Sequence, residues 1–192
     1  MRRSEQFIAS IREEFPKFRI VEKRTSAFSM AIHVTLCVLT FGGQRAFLSQ
    51  YHTVIGDTLY VPDAWARSSE VDRVILLRHE LIHMRQRRRY GFLGMAFLYL
   101  IPFFPIGLAY GRARLEWEAY RETLRATAEL LGLPAAHDPA LRSKIIERFV
   151  GPAYGWMWPF RTQIERWYDR ALADLGASFT RAELSGSSGQ ES

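Results

Sequence analysis

Apolar residues in the first fifteen positions fall at helical spacing: Phe7, Ile8, Ile11 and Phe15 share one face, and Pro16 stops the segment. This predicts a helix over Ser4 to Phe15, followed by a short strand over Phe18 to Val21. The run from Ser26 to Phe41 is apolar nearly all round, as in a buried helix or a central strand, and Gly42-Gly43 ends it. Helix is the preferred reading there. Between Phe47 and Val61 apolar and polar residues alternate on both sides of Ile55-Gly56-Asp57-Thr58, the pattern of a hairpin whose tight turn needs Gly56.

Four helices follow. The first starts at a Ser68 or Ser69 cap, has Glu70 and Asp72 in its first turn and Arg85 to Arg89 in its last, and stops at Gly91. Others are predicted from about Arg112 to Leu131, ended by Gly132, then from Ser143 to Val150 and from Phe160 to Leu175. The pattern describes an α+β protein, mostly helical with a small sheet and an edge hairpin. A length of 192 residues fits one domain, read as 1–182, with 183–192 as a disordered tail.

Composition narrows the chemistry. The single cysteine, Cys37, excludes an internal disulfide framework and a cysteine-based zinc cluster, so a metal site must be built from His, Glu and Asp. A net charge of +6 is a modest bias that specifies no partner. The N-terminal stretch is amphipathic and contains acidic residues, which gives the cytoplasm as the expected compartment.

Within the helix beginning near Ser69 stands His79-Glu80-Leu81-Ile82-His83, an HExxH. Four residues make just over one helical turn, so both imidazoles leave one face and can reach a single Zn²⁺ at ~2.0–2.1 Å. Glu80 lies about 100° around the helix from His79, where its carboxylate can take a proton from a metal-activated water. The plainer alternative makes the histidines ordinary surface or core residues and Glu80 half of an ion pair. Catalytic zinc usually has three protein ligands. Glu116 supplies a third from the next helix, where it shares a face with the small Ala119. Glu118 points elsewhere and reads as a solvated helix charge.

HExxH followed by Glu116-Trp117-Glu118-Ala119-Tyr120 resembles the gluzincin metallopeptidases of the zincin-like superfamily, whose third ligand lies in a downstream Glu-x-x-Ala-Asp or a variant of it. The stretch HELIHMRQ, followed by YG, an apolar run and E-x-E-A-Y, is similar to small bacterial DUF4157-like proteins, with Gln86 after the second histidine. Tyr120 departs from the Asp found in many relatives. The resemblance covers roughly Tyr51 to Leu124 and implies a minimal zincin core. Its last strand, Thr58 to Val61 here, would be a substrate-binding edge. It also implies an oxyanion-stabilising residue from a later segment, for which Tyr110, Tyr120, His137 and Tyr154 are candidates.

Phe92 to Tyr110 is a 19-residue stretch without a charge. A bilayer span would carry Glu116 some ~30 Å from His83, which is incompatible with a shared ion. Pro102, Pro105 and Gly107 instead predict an apolar hairpin at about 92–110 with IPFFPIG as its turn. That hairpin either caps the protein's own core or meets a membrane surface, with Arg85, Arg87, Arg88, Arg89, Arg112 and Arg114 at its base. The leading functional expectation is a zinc-dependent metallopeptidase acting on a peptide or protein substrate: His79, His83 and Glu116 hold zinc, and Glu80 is the catalytic base. The alternative is a catalytically silent zincin-fold module that binds a metal or a partner. Nucleic acid is disfavoured, because arginines at a helix C-terminus are ordinarily solvated.

Overall fold

A computed structural model describes residues 2–22, 52–100, 109–152 and 157–187. The expected helix at 26–41, Cys37, the first residues of the hairpin, the IPFFPIG turn and Tyr154 lie outside them. Among the described residues the fold is mostly helical with a small three-stranded sheet, consistent with an α+β protein. The chain divides into two compact units, Met1–Met84 and Arg85–Ser192.

In the N-terminal unit, α1 (Arg3–Glu14) and β1 (Arg19–Glu22) precede β2 (Thr53–Ile55) and β3 (Thr58–Val61), which are joined by a turn in which Gly56 adopts φ +62°. That conformation costs glycine little and would strain an L side chain. The strand order is β1-β3-β2, with β3 parallel to β1 and antiparallel to β2. This corrects one expectation. β3 is the central strand and its backbone groups are used on both sides, so Thr58 to Val61 is not an edge available for strand addition.

A 3-10 turn (Asp63–Arg67) leads to α2 (Glu70–Leu100). The Asp72 amide donates to Ser69 Oγ at 3.0 Å, so Ser69 is the N-cap. Arg73 donates to the carbonyls of Trp65 and Ala66 and pairs with Glu70, which fastens the turn to the helix. The unit's core is made by Ile11, Phe15 and Phe18, by Leu59 and Val61 of β3, and by Leu77, Leu81 and Met84 of α2. These three recur at i, i+4 and i+7, a helix face turned to the sheet. The start of α2 is also tied to α1: the Ser4 amide and hydroxyl both donate to Glu70 Oε2. Those two bonds, with Arg73 nearby, hold the Glu70 carboxyl below the usual range.

The C-terminal unit contains the rest of α2, then α3 (Tyr110–Leu131), α4 (Leu133–Ala136), α5 (Pro139–Val150) and α6 (Arg161–Ser187). Gly91, expected to stop α2, does break the helical backbone with φ 67° and ψ 175°, but helix resumes at once and continues to Leu100. Gly132, at φ +91°, ends α3 as expected. Asp138 caps α5 and Pro139 occupies its first turn, so this helix begins one turn earlier than its apolar pattern suggests. α6 continues past Leu175 to Ser187, so residues 183–187, read as disordered tail, are helical.

Ala113, Trp117 and Leu124 of α3 pack with Ile145, Ile146 and Phe149 of α5, and with Ile164, Tyr168, Ala171 and Leu175 of α6. Buried Tyr168 donates its hydroxyl to the Ala136 carbonyl at 3.1 Å, and burial pushes its pKa up to about 12. Among the described residues, no helix is long and apolar enough to cross a membrane.

Candidate metal centre

α2 carries two stripes with the same i, i+4, i+7 rhythm, two residues out of phase. Leu77, Leu81 and Met84 enter the N-terminal core. His79, His83 and Gln86, about 200° around the axis, form a polar stripe on the other side. The apolar row immobilises the helix, and the polar row is thereby presented on a backbone that cannot easily roll. Val74 on the same helix is also buried, while Val71, Ile75 and Ile82 are only half-buried.

The histidine Nε2 atoms are 3.2 Å apart. Two nitrogens bound to one tetrahedral zinc at ~2.0–2.1 Å would stand about 3.3 Å apart, so the rings already have the spacing of two corners of such a site. His79, His83 and Glu116 each offer a ligand atom, and all of these atoms lie within 4.8 Å of one another. The donor set of two imidazoles and one carboxylate suits a borderline-soft divalent cation. The three predicted ligands therefore come together. Glu80, the predicted base, follows His79 directly and is only 8% exposed. Glu116 is 9% exposed, and the adjacent Ala119 on its face is fully buried.

Glu118 departs from its reading as a solvated charge. Gln86, 4% exposed, donates from Nε2 to the Leu115 carbonyl at 2.9 Å and to Glu118 Oε2 at 2.9 Å. Its side-chain amide thus grips α3 on both sides of Glu116. Because Gln86 lies one turn beyond His83 in the polar stripe, this grip fixes the α3 turn bearing Glu116 against the α2 turn that follows the histidines. The role of Gln86 was missed in the sequence, although the 79/83/86 spacing carried the signal.

The oxyanion candidates fall in varied surroundings. His137 is exposed at the end of α4. The Tyr110 ring packs on Trp158 and Trp167, and the Tyr120 ring packs on Phe149, with centroids 5.6 Å apart. No protein family, curated protein or solved structure matches the chain.

Proposed function

We propose that the protein is a zinc-dependent metallopeptidase with His79, His83 and Glu116 as ligands and Glu80 as general base. The observation that carries this reading is the convergence of these three donors, two of them 3.2 Å apart, beside a buried carboxylate on the same helix. The gluzincin-like order of the motifs supports it. When bound, zinc would polarise the scissile carbonyl and acidify the attacking water.

The remaining chemistry falls to the chain. Glu80 accepts the proton released as the water oxygen bonds to the carbonyl carbon, and returns it to the amide nitrogen as the C–N bond breaks. Burial excludes bulk water from the Glu80 carboxylate and favours this transfer. Gln86 and Glu118 keep the Glu116 turn in place and touch no reacting atom.

The test compares wild type with Glu80→Gln on an unfolded protein such as casein. Wild type is expected to cleave it and to stop on chelation, while Glu80→Gln keeps zinc and loses at least about a hundredfold in rate. Undiminished cleavage by Glu80→Gln, or loss of zinc from it, would overturn the assignment of the base.

A further inference from the structure

Between Leu81 and Leu115 there is no Asp or Glu, and there are six arginines: Arg85, Arg87, Arg88, Arg89, Arg112 and Arg114. The chain holds 26 Lys+Arg and 20 Asp+Glu, so removing these six leaves 20 against 20. The whole net charge of +6 therefore belongs to this one stretch, and the rest of the chain is balanced.

The fold gathers that charge. Gln86 contacts Leu115. Further along, a Cβ at Gly111 would stand only 3.1 Å from the Leu98 carbonyl oxygen, so α2 and α3 run closely side by side there. These two contacts bracket Arg87, Arg88 and Arg89 on one helix and Arg112 and Arg114 on the other. Arg88, Arg89 and Arg114 are exposed, as is Arg85 next to the bracket.

Beyond Gly91 the same helix shows the opposite character. Leu93 is 81% exposed and Phe97, one turn on, 60% exposed. Exposed Tyr110 and Phe160 flank Trp158, with ring centroids 5.1 and 5.0 Å from it, adding aromatic rings of the kind favoured at a lipid–water boundary. Solvent-facing apolar side chains a few residues from a run of exposed guanidinium groups suit a surface that is both anionic and apolar. A phosphate-bearing bilayer surface is both, and stable attachment to one takes such a pair of signals. Nucleic acid would match the positive charge and leave Leu93 and Phe97 in water.

We propose that this face of the C-terminal unit docks on the anionic surface of a lipid bilayer, with Leu93 and Phe97 entering the acyl boundary and the arginine band meeting the headgroup phosphates. The inference is independent of the metal site.

Sedimentation of the full chain with vesicles tests it. The protein is expected to pellet with phosphatidylglycerol–phosphatidylcholine vesicles, to stay largely in the supernatant with phosphatidylcholine alone, and to be released by salt. Leu93→Ser/Phe97→Ser and Arg88→Gln/Arg89→Gln should each weaken binding about tenfold or more while leaving the melting temperature and zinc content unchanged. Four results would overturn the proposal: no pelleting with the anionic vesicles; equal binding to both vesicle types; a dimer that the Leu93→Ser/Phe97→Ser change makes monomeric; or tighter binding to duplex DNA than to vesicles, insensitive to that change.

Discussion

The two stretches of α2 on either side of Gly91 invert the ordinary rule of burial. Before it, Glu80 and Gln86 are among the least exposed side chains of the helix; after it, Leu93 and Phe97 are among the most exposed. A buried polar group is costly unless it is partnered, and an exposed apolar one is costly unless something covers it. The contrast therefore separates two stretches of one helix: polar side chains held inside before Gly91, and apolar side chains turned to solvent after it.

The largest expected effect sharpens this contrast. Leu77→Ala, in the fully buried row behind the histidines, should cost about 2–5 kcal/mol in chemical denaturation. Leu93→Ala, four turns on, should stay within about 0.5 kcal/mol. Comparable losses at both sites would break the comparison.

Next comes the grip on α3. Gln86→Ala leaves the Leu115 carbonyl and the Glu118 carboxylate without their donor, so a loss of about 1–3 kcal/mol is expected. Zinc affinity should fall with it, measured by competition with a chromophoric chelator. Unchanged affinity at reduced stability would make Gln86 a packing residue alone.

Two hydrogen-bonded groups away from the candidate metal site, buried Tyr168 and part-exposed Glu70, test the account further. Tyr168→Phe removes the hydroxyl bond to Ala136, at about 1 kcal/mol. The folded-state pKa of Tyr168 is raised, so its contribution is fully present below pH 10 and is lost as pH rises toward about 12. Alkaline melting curves should show that loss in wild type and less of it in Tyr168→Phe.

The smallest effect concerns Glu70, whose carboxyl pKa is lowered by the two Ser4 bonds. Its contribution is present above the ordinary carboxylate range near 4.5 and is lost as pH falls through the lower folded value. Glu70→Gln should therefore be less stable than wild type at neutral pH and approach it in acid. A gap that persists in acid would show that charge is not the cause.

Elements bounded by local signals were legible in the sequence. Pro16, Ser69, Gly56, Gly91 and Gly132 act through their own backbone preferences, and each marks a boundary or break in the structure. What depended on distant partners was not. The pairing of β1 with β3 joins residues 39 apart, and nothing local in Thr58 to Val61 tells a central strand from an edge. The extension of α6 carries no buried residue between Gly176 and Ala182, so no apolar rhythm announces it. At the candidate site, His79, Glu80 and His83 stand out through spacing on one helix, and Glu116 through its face shared with Ala119. Glu118 differs from a solvated helix charge because the donor that holds it, Gln86, comes from another helix.

Zinc content, measured by elemental analysis on freshly purified wild type, His79→Ala and Glu116→Ala, with circular dichroism on the same samples, tests the metal centre most directly. Near-stoichiometric zinc in wild type and its loss from both folded variants is the predicted result. A zinc-free wild type, or a Glu116→Ala variant that retains the full complement, would contradict a centre built from these three side chains.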